Sequence, residues 1–391
     1  MTRQPIPAPS SIPVRPIARE STGPGEALPD PAEGLALVKP GVRAQAGYTL
    51  RALPTRRKLN QNECPHDLPA ELKQAILERA AAAQWQRYPE FVPARLVERL
   101  AAHYGWVPEG IVVGNGSNEL IQATLSVVLA QGEAVVAPSP TFSLYRLLTG
   151  VLGGRFVPVP LGDRFAFDVD RIVETAARER ARVIVLNSPN NPTGSTLAEG
   201  AVERILAATD ALVVCDEAYQ DFGGPSAIPL LRRSSRVVVL RTFSKAMGMA
   251  GLRFGLALAH PEVARELAKG KLPYNVNLVT LAAADVALEH ADALAARTRA
   301  ITETRDRFLP RLAAIPGIEV FPTAANFVLI RCRARSAAEV FRRLHEEHGI
   351  LVRDVSATAE LAECLRISIG TEEDMEAVLA ALSGILGAEA R

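Results

Sequence analysis

The chain has 391 residues, 48% of them hydrophobic and 22% charged, which describes a soluble globular protein with room for one large and one small domain. Its formal net charge of +1 supplies no general electrostatic reason to bind nucleic acid or a membrane surface. The four cysteines, Cys64, Cys215, Cys332 and Cys364, make no CxxC or Cys/His ligand spacing, so neither a disulfide framework nor a metal site is expected.

Residues 1–38 carry eight prolines before Ala32, few large apolar residues and no period, which predicts a flexible tail. Arg3, Arg15 and Arg19 fall there without a continuous apolar segment, and no later run is long and apolar enough to span a bilayer, so a cytoplasmic protein is expected. Residues 39–67 read as an arm packing with the small domain, ending in the polar, proline-punctuated run Lys58 to Pro69. Helices are expected over 70–84 and 93–104, separated by Arg87-Tyr-Pro-Glu90. A repeating unit then begins: a short β-branched run, a loop rich in Gly, Pro, Asn and Ser, and a helical stretch. The runs at 111–113, 135–137, 183–186, 212–215 and 237–240 predict an α/β fold whose mostly parallel sheet is covered on both faces, a large domain over 68–270. Residues 271–391 then read as a long polar helix over 292–314 and a smaller α+β domain. Its elements are a strand pair within 318–331, a helix over 337–348, strands at 350–353 and 364–369, and a closing helix capped by Thr371.

Ligands of open α/β sheets bind beyond the carboxyl ends of the strands, so the residues just past each run are the place to look for chemistry. After Val113, Gly114-Asn-Gly-Ser-Asn-Glu119 opens a helix and suits backbone N–H groups to a phosphate, although Glu119 stands where a dinucleotide fingerprint needs its third glycine. Phe142 offers an aromatic face after the second run, and Asn191, fixed by Pro192, offers an amide donor after the third. Asp216 ends the fourth as an acid that, once buried, needs a cationic partner or becomes neutral. After the fifth comes Lys245, set beside Thr242, Ser244 and Arg253. The chain has only six lysines among its 44 basic residues, and none of the other five lies between Gln74 and Ala268. A lysine kept where arginine is the usual cation suggests amine chemistry, because a Lys with a lowered pKa forms a Schiff base and Arg does not. Five adjacent strand ends would then bring together a phosphate cradle, an aromatic platform, an amide donor, an acid and a lysine, the parts needed to hold pyridoxal phosphate.

On these residues the chain resembles the fold-type-I pyridoxal-phosphate-dependent aminotransferases over about 38–386, and within them most closely the branch acting on histidinol phosphate. The resemblance rests on Leu59-Asn-Gln-Asn-Glu-Cys-Pro65, Arg87-Tyr-Pro-Glu90, Ser188-Pro-Asn-Asn-Pro-Thr-Gly194, Asp216-Glu-Ala-Tyr219, Ser244-Lys245 with Arg253, and Leu365-Arg-Ile-Ser-Ile-Gly370. It implies a ping-pong transfer of an amino group between L-histidinol phosphate and 2-oxoglutarate. Lys245 would be the covalent base, Asp216 the partner of the ring nitrogen, and Asn191 and Tyr219 the donors to the 3'-oxygen, with Phe142 stacked on the ring. Ser117 and Asn118 would offer N–H groups to the cofactor phosphate, joined by the side chains of Thr242, Ser244 and Arg253. The resemblance further implies a homodimer in which Tyr88 reaches the neighbouring subunit's phosphate. Arg366 and Arg353 would hold the substrate's anionic groups, with Tyr48 a further substrate contact. Phe142 in place of a common Tyr, Asn118 for a frequent Asp and Cys64 for the usual Asn of the arm motif touch the ring periphery or the substrate side. Open beside this reading stand an aminotransferase for aromatic or other amino acids, a threonine-phosphate decarboxylase, and a cofactor-sensing regulator, which would need a DNA-binding helix pair ahead of it.

Overall fold

Strand formation follows the apolar runs, and the computed structural model describes residues 30–47 and 53–387. In chain order the strands are β1 (Arg57–Lys58), β2 (Ile111–Gly114), β3 (Ala134–Ser139), β4 (Arg155–Pro160), β5 (Val183–Asn187), β6 (Leu212–Asp216), β7 (Val237–Thr242), β8 (Gly255–Ala259), β9 (Ile318–Val320), β10 (Phe327–Cys332), β11 (Ile350–Leu351), β12 (Arg353–Asp354) and β13 (Cys364–Ser368). Seven of them form one sheet in the order β2-β8-β7-β6-β5-β3-β4, parallel except for β8, which runs antiparallel to both neighbours. The five expected strand ends are therefore not all adjacent: β8 stands between β2 and β7. It escapes a propensity reading because Gly255-Leu-Ala-Leu-Ala259 is poor in β-branched residues, and burial on both faces stabilises it instead. Strand β4 escapes for another reason, its two prolines, which only an edge position tolerates.

Successive residues of these strands point to opposite faces, and both faces are buried. Val113, Val136, Ile184, Val213 and Val239 pack with the helices Ala94–Tyr104, Val169–Glu179, Ala201–Ala208 and Leu278–Glu289. Val112, Val135, Val185, Val214 and Val238 pack with Ser117–Val128, Leu144–Leu152 and Pro261–Leu267. The helix Leu278–Glu289 packs in the larger core. The helix Ala291–Ala313 leads to an antiparallel sheet of order β12-β13-β10-β9, closed by the helix Glu372–Gly387. Thr371 caps that helix as expected: the Asp374 N–H donates to its Oγ1, and its own N–H donates to Asp374 Oδ2, both at 3.1 Å.

The expected single strand at 350–353 is broken, β11 pairing with β1 while β12 pairs with β13. Residues 32–37, expected in a flexible tail, form a short exposed helix with no buried residue. The arm divides between the two cores. Gln45 presses against Gly150 of the larger one, while β1 pairs in parallel with β11 beside the smaller one. Among the described residues no helix is long and apolar enough to cross a membrane.

Behind the carboxyl end of β6, Glu217 is buried against Arg241 of β7 at 2.8 Å and accepts from Ser226. Removing one partner leaves the other charge in a dry interior. Arg241→Met is expected to lower the unfolding free energy by about 3–5 kcal/mol in urea titration, and Glu217→Gln added to it to restore part of the loss.

Candidate active site

The carboxyl ends of β2, β3, β5, β6 and β7 open into a cavity of about 550 Å³ roofed by β12 and residues 354–361. Ser117, Asn118, Phe142, Asn191, Asp216, Tyr219, Thr242, Ser244, Lys245, Arg253, Arg353 and Arg366 all line it, so twelve of the fourteen residues singled out from the sequence converge. Tyr88 does not. It is 81% exposed on the outer surface and stacks on Tyr274 at 4.6 Å between ring centroids. Tyr48 lies outside the described residues.

The anion-binding corner is built from backbone and arginine. Ser117 starts its helix, with Gly116 before it at φ 82°, and a Cβ there would come within 2.6 Å of the Arg253 guanidinium. Glycine is needed for both reasons, the left-handed backbone and the close approach. A Cβ on Gly255 would meet the Ser117 nitrogen at 2.4 Å, so β8 and the helix start also fit closely. Arg253 donates to Ser244 Oγ at 3.1 Å and, among the described residues, makes no ion pair. Glu119, in the fingerprint's third-glycine position, instead caps the turn by accepting from the Asn115 N–H.

Asp216 is 3% exposed, and burial raises its carboxyl above the ordinary range while two hydrogen bonds oppose the rise. Neither comes from a cation. Tyr145 Oη donates to Oδ2 at 2.6 Å and the Ala218 N–H to Oδ1 at 3.1 Å, so the expected cationic partner is absent among the described residues. Tyr145 was not legible as a site residue, because a tyrosine on an apolar helix face reads as core. Lys245 Nζ donates to the Gln61 carbonyl at 2.9 Å. Its amine is lowered to about 7, first by desolvation and then by the positive field of Arg366, with Arg253 adding to it.

Arg366 is 8% exposed and donates to Asn191 Oδ1 and to the Asn60 carbonyl. Arg353 lies directly opposite it across β12 and β13, on the same face of the sheet. Two facing guanidinium groups repel unless an anion lies between them. The whole cavity is positive in balance: Lys245, Arg146, Arg253, Arg353 and Arg366 against Asp216 and Asp354.

A lysine amine poised near neutrality and a lone buried carboxylate on a mostly parallel sheet describe a transferase that works through an aldehyde cofactor. Residues 56–382 match the model of the class I and II aminotransferases, and the chain belongs to that family. A histidinol-phosphate aminotransferase of Chlorobaculum tepidum is 40% identical over 323 residues, 82% of this chain and 92% of the relative. One of Prosthecochloris aestuarii is 37% identical over 353 residues, 90% and 98% of the two chains. The crystal structure of histidinol-phosphate aminotransferase from Sinorhizobium meliloti in complex with pyridoxal-5'-phosphate superposes with a TM-score of 0.80 at 28% identity, covering 90% of this chain and 98% of that one. The chain is thus a pyridoxal-phosphate-dependent transferase of small molecules. Its donor set suits that cofactor: Asp216 lacks a cation that a protonated ring nitrogen would supply, and the Gly116–Arg253 corner suits a phosphate.

Reaction of the cofactor-free protein with a small aldehyde followed by borohydride is expected to label Lys245 with a pH midpoint near 7, well below the ordinary 10.5, as read by peptide mass spectrometry. Arg366→Gln should move that midpoint upward, since one cation disfavouring the ammonium is gone.

Proposed function

We propose that the enzyme moves an amino group between L-histidinol phosphate and 2-oxoglutarate, giving imidazole acetol phosphate and glutamate by a ping-pong mechanism. The observation that carries this reading is the opposed pair Arg353 and Arg366 in the same cavity as Lys245. Such a pair suits an anionic group with several acceptor oxygens, the phosphate of one substrate and the second carboxylate of the other. The similarity to histidinol-phosphate aminotransferases up to 40% identical supports the same choice. The enzyme would act in the cytosol.

When bound, the cofactor supplies an electrophilic aldehyde and a ring that withdraws electrons from the donor's α-carbon. Lys245 would hold the cofactor through its amine, whose free form its lowered pKa makes abundant at neutral pH, and would serve as the base that takes the proton from the donor carbon. Asp216 keeps the ring nitrogen protonated, its own charge kept available by Tyr145 and the Ala218 N–H. Asn191, whose Oδ1 accepts from Arg366, would offer its amide hydrogens to the 3'-oxygen, as would Tyr219 its hydroxyl. Phe142 would stack on the ring, and Ser117, Asn118, Thr242, Ser244 and Arg253 would hold the phosphate. Tyr88, exposed with Phe91 and Trp85 at 57% and 67%, would enter the neighbouring site of a homodimer. Tyr48 keeps its suggested substrate role on sequence resemblance alone. The domains divide at the long helix Ala291–Ala313, with Leu278–Glu289 in the larger one.

Purified holoenzyme mixed with histidinol phosphate, phenylalanine or threonine phosphate is expected to change cofactor absorbance to the amine form with the first alone. Conversion by phenylalanine alone would reject the substrate while leaving the chemistry in place. Arg353→Gln is expected to lower kcat/KM for histidinol phosphate roughly tenfold or more, the scale of one charge-assisted hydrogen bond. Lys245→Ala should abolish turnover.

A further inference from the structure

The arm motif Leu59-Asn-Gln-Asn-Glu-Cys-Pro65 runs along the cavity, yet no role above belongs to Asn62. This residue is 1% exposed, has φ 55°, a left-handed backbone that asparagine tolerates better than most, and touches three other parts of the chain. Its N–H donates to Ser368 Oγ at 2.8 Å, and Ser368 Oγ donates to its Oδ1 at 3.0 Å. Its carbonyl accepts from Asn326 Nδ2 at 3.1 Å, and its own Nδ2 lies 3.0 Å from Tyr219 Oη.

These bonds determine proton directions. Ser368 Oγ accepts from the Asn62 N–H and has one hydrogen, and among the described residues the acceptor that this hydrogen meets is Asn62 Oδ1. The amide is thereby fixed with its nitrogen toward Tyr219. An NH₂ group only donates, so Tyr219 Oη must accept, and the hydroxyl's single proton is turned away from Asn62.

We propose that Asn62 is a positioning residue that aims the Tyr219 proton into the cavity, so that the hydroxyl donates to the cofactor's 3'-oxygen. This rests on the role proposed for Tyr219 and adds the group that enforces it. Ser368 and Asn326 belong to the small domain, and Ser368 stands two residues after Arg366 on β13. The direction of a proton on the large domain is thus set by the strand that carries a substrate-binding arginine.

A donor to the 3'-oxygen favours its ionised form and lowers the pH at which the bound cofactor changes absorbance. The test is that titration in holoenzyme. Tyr219→Phe is expected to raise the midpoint by about one unit, tenfold in the acid constant, on the scale of a hydrogen bond to a charged acceptor. Asn62→Ala should raise it by roughly half a unit or more in the Tyr219 protein and leave it unchanged in the Tyr219→Phe protein. Ser368→Ala, which frees the amide to turn without removing it, should give a smaller shift of the same sign. No shift in Tyr219→Phe would sink the role of Tyr219 itself. A shift in Tyr219→Phe without one in Asn62→Ala, or an Asn62→Ala shift that persists beside Tyr219→Phe, would overturn the present proposal alone.

Discussion

A carboxylate at the end of an apolar strand is costly to keep ionised, and the architecture around Asp216 is arranged about that cost. The valine-rich strands β5, β6 and β7 remove water from three sides, so the charge relies on what neighbouring elements donate. They supply two neutral donors, Tyr145 from the helix after β3 and the Ala218 N–H from the turn after β6. That is enough to hold the group in place and too little to satisfy it. A protonated ring nitrogen, the partner proposed for it above, would complete the balance.

Lys245 presents the mirror image. Its amine is also withdrawn from water, the strongest charge acting on it is the like charge of Arg366, with Glu63 opposing, and the Gln61 carbonyl accepts its hydrogen bond without neutralising anything. One acid that wants a positive partner and one base that gives up its proton readily sit at the two sides of a single cavity. Opposite shifts of this kind are how one site performs acid and base work at one pH. Arg366 and Arg253 both help to lower the lysine's pKa.

The parallel frame was legible because burial on both faces writes strands as unbroken β-branched runs, and the residues after Val113, Leu186, Cys215 and Leu240 fell where such runs end. Strand β8 was not, since alanines and a glycine carry little β signal and only tertiary packing makes them a strand. Arg353 and Arg366 came from resemblance, because their opposition depends on the register of β12 against β13, which no local pattern encodes. Tyr145 was hidden by its surroundings: on an apolar helix its ring looks like core, and the hydroxyl's target is 71 residues away. Asn62 was visible as part of a motif, but its contact with Ser368 spans 306 residues.

That long span bears on how the molecule is made. Synthesis proceeds from the amino end, so residues 57–62 leave the ribosome ahead of every strand of the large sheet. Their partners, β11 and the Ser368 N–H that donates to the Leu59 carbonyl at 2.9 Å, come some 290 residues or more later. The large sheet, complete at Ala259, can therefore form around a cavity with one wall missing, and β1 waits for its strand partner until β11 is released. Nascent chains stopped short of β13 would carry Lys245 and Asp216 without Arg366 and Ser368, the cavity wall that this strand supplies.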